Sequence, residues 1–187
     1  VITADHCASS AGKTSVPVNR YHIPLWIYSP KHIQPQKVDR LMGQVDIAPT
    51  VLGLLNFSYR TRFFGYDLFQ LEAGRERAFP ATYEKLGYLH DDVLTVLEPQ
   101  RKLEQMKPDY ATGDATPITP QDPQQIADAV AYYQVASELF KRGQLVRRPA
   151  DSTPVEPLPV ATSALPASSS SAPAPGSSAG SAPATMH

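Results

Sequence analysis

Cysteine occurs once, as Cys7, which excludes an intrachain disulfide framework and says little about redox compartment. An excess of charge is lacking too. The 17 Lys and Arg are balanced by 18 Asp and Glu for a net charge of -1, so nothing draws the chain toward nucleic acid or an anionic membrane surface. No apolar run reaches the roughly 18 residues of a membrane-spanning helix. An initiator Met and a secretory leader are also missing, and the β-branched run Val1-Ile2-Thr3 reads as a strand already under way. A strand of that kind needs neighbours, so the chain is expected to be the C-terminal piece of a longer protein. Proline, in contrast, is abundant: 19 residues, about twice the usual share, with much of the excess near the end.

The opening stretch carries the most chemistry. Val1–Ala4 suits a buried strand of an α/β sheet. Asp5 and His6 would then fall at its C-terminal end, where open sheets bind ligands. A carboxylate beside an imidazole supplies two donors suited to Zn²⁺ or Mn²⁺. The plainer alternative is Asp5 as a loop cap and His6 as a satisfied strand-end residue. His22 is either a third donor or a residue that holds the loop by hydrogen bonding. His32 and His90 fall in polar turns and are expected at the surface, and His187 lies in the tail. Gly12-Lys13-Thr14 matches the close of a phosphate loop without the glycine that should open it, so it is no nucleotide motif. Lys13 could still face an anion beside the metal. Ser9 and Ser10 have no base at a defined spacing. Cys7 reads as a small buried hydrophobe, and Arg60, Arg62 and Arg75 as a solvated face.

Further along, Ile23–Tyr28 is apolar enough for a central strand, with Pro24 tolerated near its start. Asp46 is placed to cap a helix whose first turn accepts Pro49, and Ile47, Val51, Leu54 and Leu55 form its apolar stripe. The runs 81–89 and 93–98, parted by Asp91-Asp92, predict a hairpin. Residues 108–123 read as a proline-rich loop. Asp122–Arg142 is the clearest helix: Ile126, Ala129, Val130, Tyr133, Ala136, Leu139 and Phe140 share a face, Asp128, Gln134 and Glu138 point outward, and Gly143 stops it. From residue 149 onward Pro, Ala, Ser, Thr and Gly predominate with no aromatic residue, which predicts a disordered tail over 149–187 behind a folded region of 1–148.

Thr3-Ala4-Asp5-His6-Cys7, Ser10-Ala11-Gly12-Lys13, Tyr21-His22-Ile23-Pro24 and Gln44-Val45-Asp46-Ile47-Ala48-Pro49-Thr50 together carry a resemblance. So does Phe63-Phe64-Gly65-Tyr66-Asp67-Leu68 further on. The sequence resembles the C-terminal part of the sulfatase-like domain of lipoteichoic acid synthases and phosphoglycerol transferases, in the alkaline phosphatase superfamily. The likeness covers residues 1–98 and extends through the helix ending near Arg142. Gly43 stands where that branch often has Ser.

The resemblance implies an α/β fold, the C-terminal part of an alkaline-phosphatase-type α/β/α sandwich. It implies Asp5 and His6 as ligands of a divalent metal, Mn²⁺ or Zn²⁺, and leaves His22 as a candidate for contact with substrate or with a ligand; Lys13 stays a substrate-binding candidate on its own charge. No catalytic nucleophile has a counterpart here; a Thr located before residue 1 is expected to serve. The implied reaction transfers phosphoglycerol from a lipid head group or glycan phosphodiester. Hydrolysis of a sulfate ester or phosphodiester is the neighbouring reading, and an inactive fragment the non-enzymatic one. The implied setting is a cell membrane reached through an N-terminal anchor, with the catalytic domain outside the cytoplasm and no nucleic-acid partner.

Overall fold

The computed structural model describes residues 1–7 and 16–146. The expected tail and Lys13 lie outside the described residues. Those described form a mixed α/β fold with two antiparallel sheets and two α-helices. β1 (Ile2–Thr3) pairs with β2 (Leu25–Trp26) in the register Ile2↔Trp26 and Thr3↔Leu25. This corrects two expectations. The opening strand, antiparallel to β2, is exposed rather than buried, and the apolar run 23–28 contributes only two strand residues. Pro24 supplies no backbone N–H and stands just before the ladder begins.

The second sheet is a meander of five strands in sequence order: β3 (Arg77–Ala78), β4 (Leu86–His90), β5 (Val93–Leu97), β6 (Leu103–Pro108) and β7 (Ala115–Pro117). The expected hairpin is its β4–β5 pair. Asp91 and Asp92 both take positive φ, 47° and 57°, as a two-residue turn between right-twisted strands requires. The first part of the anticipated strand, from Ala81, contributes only an isolated bridge to Leu86. β6 had no clear pattern because Glu104 and Lys107 interrupt it. β7 lies inside the segment expected to be loop.

Alternation along the meander separates two faces. Leu89, Leu94, Val96 and Met106 join Val16 and Val18 in one buried cluster. The other face carries Tyr88, Thr95 and Gln105, and α2 (Pro123–Lys141) packs on β4 and β5. Asp122 caps that helix by accepting from the backbone N–H groups of Gln124 and Gln125. Gln105 fixes the cap from beneath. Its Oε1 accepts from Asp122 N at 2.6 Å, and its Nε2 donates to Thr95 Oγ1 at 3.0 Å. Ala129 is fully buried in the helix contact, but Phe140, assigned to the buried face, is 75% exposed.

α1 (Ile47–Leu54) follows a 3-10 turn at Gln44–Asp46. Its buried residues are Pro49 and Thr50, while Leu55 of the expected stripe is exposed. Asp46 does not cap the helix through its side chain. Its carboxylate turns inward to a buried arginine.

Candidate metal centre

Asp5 and His6 leave the sheet one residue beyond Ala4, at the C-terminal end of β1. The backbone there is tied on both sides. Upstream, the Thr3 hydroxyl donates to the Pro24 carbonyl at 3.0 Å, and the Gln44 side-chain amide donates to the Asp5 carbonyl at 2.7 Å. Downstream, the Cys7 thiol lies 3.6 Å from the His22 carbonyl. Cys7 is therefore half-buried at the site, where it ties the two loops together.

The two side chains point outward, Asp5 89% and His6 78% exposed. The His6 Nδ1 is 2.7 Å from the Cys7 carbonyl, so this nitrogen carries the proton and donates. That bond, with the Asp5 carboxylate second, raises the imidazole above its ordinary 6.5. In the neutral ring, with Nδ1 donating to that carbonyl, Nε2 carries the lone pair, the usual arrangement for a histidine that binds a metal while its other nitrogen is held by a carbonyl. Nε2 lies 3.6 Å from Asp5 Oδ2. Two donors bound at 2.0–2.2 Å around a tetrahedral ion stand roughly 3.4 Å apart, so the pair fits two corners of a divalent-metal site. Among the described residues, no group of three or more His, Cys, Asp and Glu side chains comes together. Two donors are half of the four that a tetrahedral site takes.

The other candidates are placed as follows. The His22 ring is exposed, and its residue meets the site through its backbone carbonyl. His32 Nδ1 pairs with Ser29 Oγ at 3.1 Å, a local surface contact. His90 is not a surface turn residue. It ends β4, is half-buried, and its Nδ1 bonds the Glu76 carbonyl at 2.8 Å. Of the arginines expected on a solvated face, Arg75 is exposed beside Glu72 at 3.8 Å, and Arg62 donates to the Gln144 carbonyl.

Sequence reasoning missed the frame behind the site. Arg77 Nη1 reaches Asp46 Oδ1 at 2.9 Å and Oδ2 at 3.0 Å, with both side chains almost wholly buried. Asp46 also accepts from Gly43 N at 3.0 Å and Tyr66 N at 2.7 Å, and the Tyr66 ring lies 4.2 Å from the Arg77 guanidinium. A side chain at Gly65 would place its Cβ 1.8 Å from the Val45 carbonyl, so only glycine fits there. Thr50 closes the set by accepting from Leu68 N at 3.0 Å. The segments 44–50 and 63–68, separate motifs in the sequence, are one packed unit. Their signal was the glycine and the Thr at those positions, legible only once the two segments are known to touch.

The sulfatase family model matches residues 1–57, the part that holds Asp5, His6, His22 and Gln44. The structure is similar to the crystal structure of a protein in the alkaline phosphatase superfamily from Vibrio parahaemolyticus, with a TM-score of 0.72 and 34% identity. That match covers 78% of this chain and 36% of the other, so the chain spans about a third of the length of the protein it matches. The described fold is thus that of part of the alkaline phosphatase superfamily domain.

Proposed function

We propose that this chain is the C-terminal section of a metal-dependent, sulfatase-family enzyme that transfers phosphoglycerol from a lipid phosphodiester. The observation that carries this reading is the Asp5–His6 pair, two donor atoms 3.6 Å apart with the second imidazole nitrogen already held by a carbonyl. Asp5 and His6 hold the ion, Mn²⁺ or Zn²⁺, together with ligands from the part of the domain outside residues 1–187. When bound, such an ion neutralises charge on phosphoryl oxygens and lowers the pKa of a nucleophile. The nucleophile in this reading is a threonine in that same outer part. It forms a bond to phosphorus as the bond to the lipid oxygen breaks, and its hydroxyl proton leaves with the lipid alcohol; an acceptor hydroxyl oxygen then bonds to phosphorus as the threonine–phosphorus bond breaks, and the acceptor's proton returns to the threonine. His22 and Lys13 are the candidates for contact with the head group. The domain would face the outside of a membrane to which the complete protein is anchored; no helix among the described residues is long and apolar enough to cross one.

A sulfate-ester hydrolase is the second reading, favoured by the sulfatase match over residues 1–57. Both esters are tetrahedral, and the same pair would serve. The test is made in the complete protein, with phosphatidylglycerol and an aryl sulfate as competing substrates. Asp5→Ala and His6→Ala should each abolish turnover and weaken Mn²⁺ binding, whereas His90→Ala should leave both intact. Full metal affinity after both changes would reject the ligand assignment. Turnover of the sulfate ester alone would move the assignment to the second reading.

A further inference from the structure

β1 is only two residues long, and its ladder ends at Thr3. The next two carbonyls, of Ala4 and Asp5, are where the chain departs from the sheet and the metal-binding pair begins. One side chain from far along the sequence reaches both: the Gln44 amide nitrogen stands 2.7 Å from the Asp5 oxygen and 3.4 Å from that of Ala4, which the Thr3 hydroxyl also approaches at 3.3 Å.

Gln44 works from a fixed base. It opens the 3-10 turn before α1, whose preceding residue Gly43 donates to Asp46 Oδ2 at 3.0 Å. Asp46 is itself locked to the buried Arg77 guanidinium. A rigid chain of contacts therefore runs from the meander through Arg77, Asp46 and the turn to the amide of Gln44. Its far end is the peptide that carries Asp5. The side chain of Gln44 is exposed, so it adds little to the core. Its short contact is to the Asp5 carbonyl, the peptide on which the pair is carried.

We propose that Gln44 is a positioning residue for the metal centre, setting the departure angle of the Asp5–His6 backbone so that Oδ2 and Nε2 converge on one ion. The proposal rests on the reading of Asp5 and His6 as ligands. Residues that orient ligands without touching the metal are typically worth about 10–100-fold in metal affinity.

The experiment uses the complete protein. Gln44→Met keeps the side-chain length and removes the amide donor; Gln44→Ala removes the reach as well. Mn²⁺ binding is measured by titration calorimetry, thermal unfolding is followed on metal-stripped protein, and turnover is recorded as a function of Mn²⁺ concentration. Both variants should bind Mn²⁺ about tenfold or more weakly. Their metal-free melting temperature should match the parent, and turnover of Gln44→Met should recover at saturating Mn²⁺. Parental affinity in Gln44→Met, with affinity lost in Asp5→Ala and His6→Ala, would overturn the positioning role and leave the ligands standing. Parental affinity in all of these variants would overturn both. A metal-free melting temperature lowered in Gln44→Met would mark Gln44 as a stability residue and overturn the proposal, and this variant decides the matter should Gln44→Ala not fold.

Discussion

In the β1–β2 pair, Val1, Ile2, Trp26 and Tyr28 each leave more than half of their surface in water. In the meander, Leu94, Thr95 and Val96 are wholly buried, between α2 on one face and Val16 and Val18 on the other. The first region carries both candidate metal ligands, and the second carries the core. A two-stranded ribbon has little independent stability in water, and three or more strands with a covered face are needed. The geometry of the Asp5–His6 pair is therefore imported from the better-packed region. The connection is the Arg77–Asp46 pair, in which Arg77 belongs to β3 and Asp46 to the turn that carries Gln44.

The strongest way to break that connection is Arg77→Ala. Removing the guanidinium leaves the Asp46 carboxylate buried without its partner, a change that costs about 3–5 kcal/mol in comparable pairs. Urea unfolding of the 187-residue chain measures it. The Tyr66 and Gly43 N–H groups still donate to Asp46, which favours the lower end of that range. A loss below about 1 kcal/mol, the range of an exposed pair, would mean that the two regions are joined by other contacts.

What was legible in the sequence follows the same division. α2 and the β4–β5 hairpin were read because each declares itself locally: helix periodicity with a cap, or two apolar runs about an Asp-Asp turn. The motifs of residues 1–50 were read from residue types, and the Asp5–His6 adjacency is a local fact. The roles of Asp46, Arg77 and Gln44 were not legible. Asp46 before a helix looks like a cap, and nothing near Arg77 in sequence marks it as the partner of a residue 31 positions away. β1 and β2 were misjudged in burial for a related reason. Their apolar composition reports how much surface could be covered, while the described residues leave much of it open.

A change of intermediate size tests the meander's own side of the comparison. Tyr133 of α2 donates its hydroxyl to the Gly87 carbonyl at 2.7 Å, and burial pushes its phenol up to about 12. Tyr133→Phe should cost about 0.5–1.5 kcal/mol at neutral pH, the net worth of one such hydrogen bond. The sign with pH follows from the raised value. The folded state holds the phenol proton more tightly than the unfolded chain, whose tyrosine loses it near 10.0. That stability is fully present below pH 10.0 and is lost as the pH rises toward about 12. The phenylalanine variant should lose stability less steeply in that window. Tyr88, also pushed to about 12 by burial, keeps part of the slope. An unchanged alkaline limb would show that Tyr133 ionises freely and that α2 does not seal this face.

The smallest expected effect bears on the exposed side. Ile2 and Trp26 are register partners in the β1–β2 ladder, yet they are 61% and 59% exposed. Ile2→Ala and Trp26→Ala in the 187-residue chain should each change stability by no more than about 0.5 kcal/mol, the usual range for surface positions. A fully buried residue of either size would cost about 2–5 kcal/mol. The expectation reverses in the complete protein if the further strands of a sulfatase-like sheet cover this pair, since both truncations would then open cavities. A cost of about 2 kcal/mol or more in the 187-residue chain itself would mean that this surface is already covered. The contrast between a borrowed site and a self-sufficient meander would then fail at its weaker end, because the strand that leads into Asp5 and His6 would not need Gln44 and the Arg77–Asp46 pair to hold it in place.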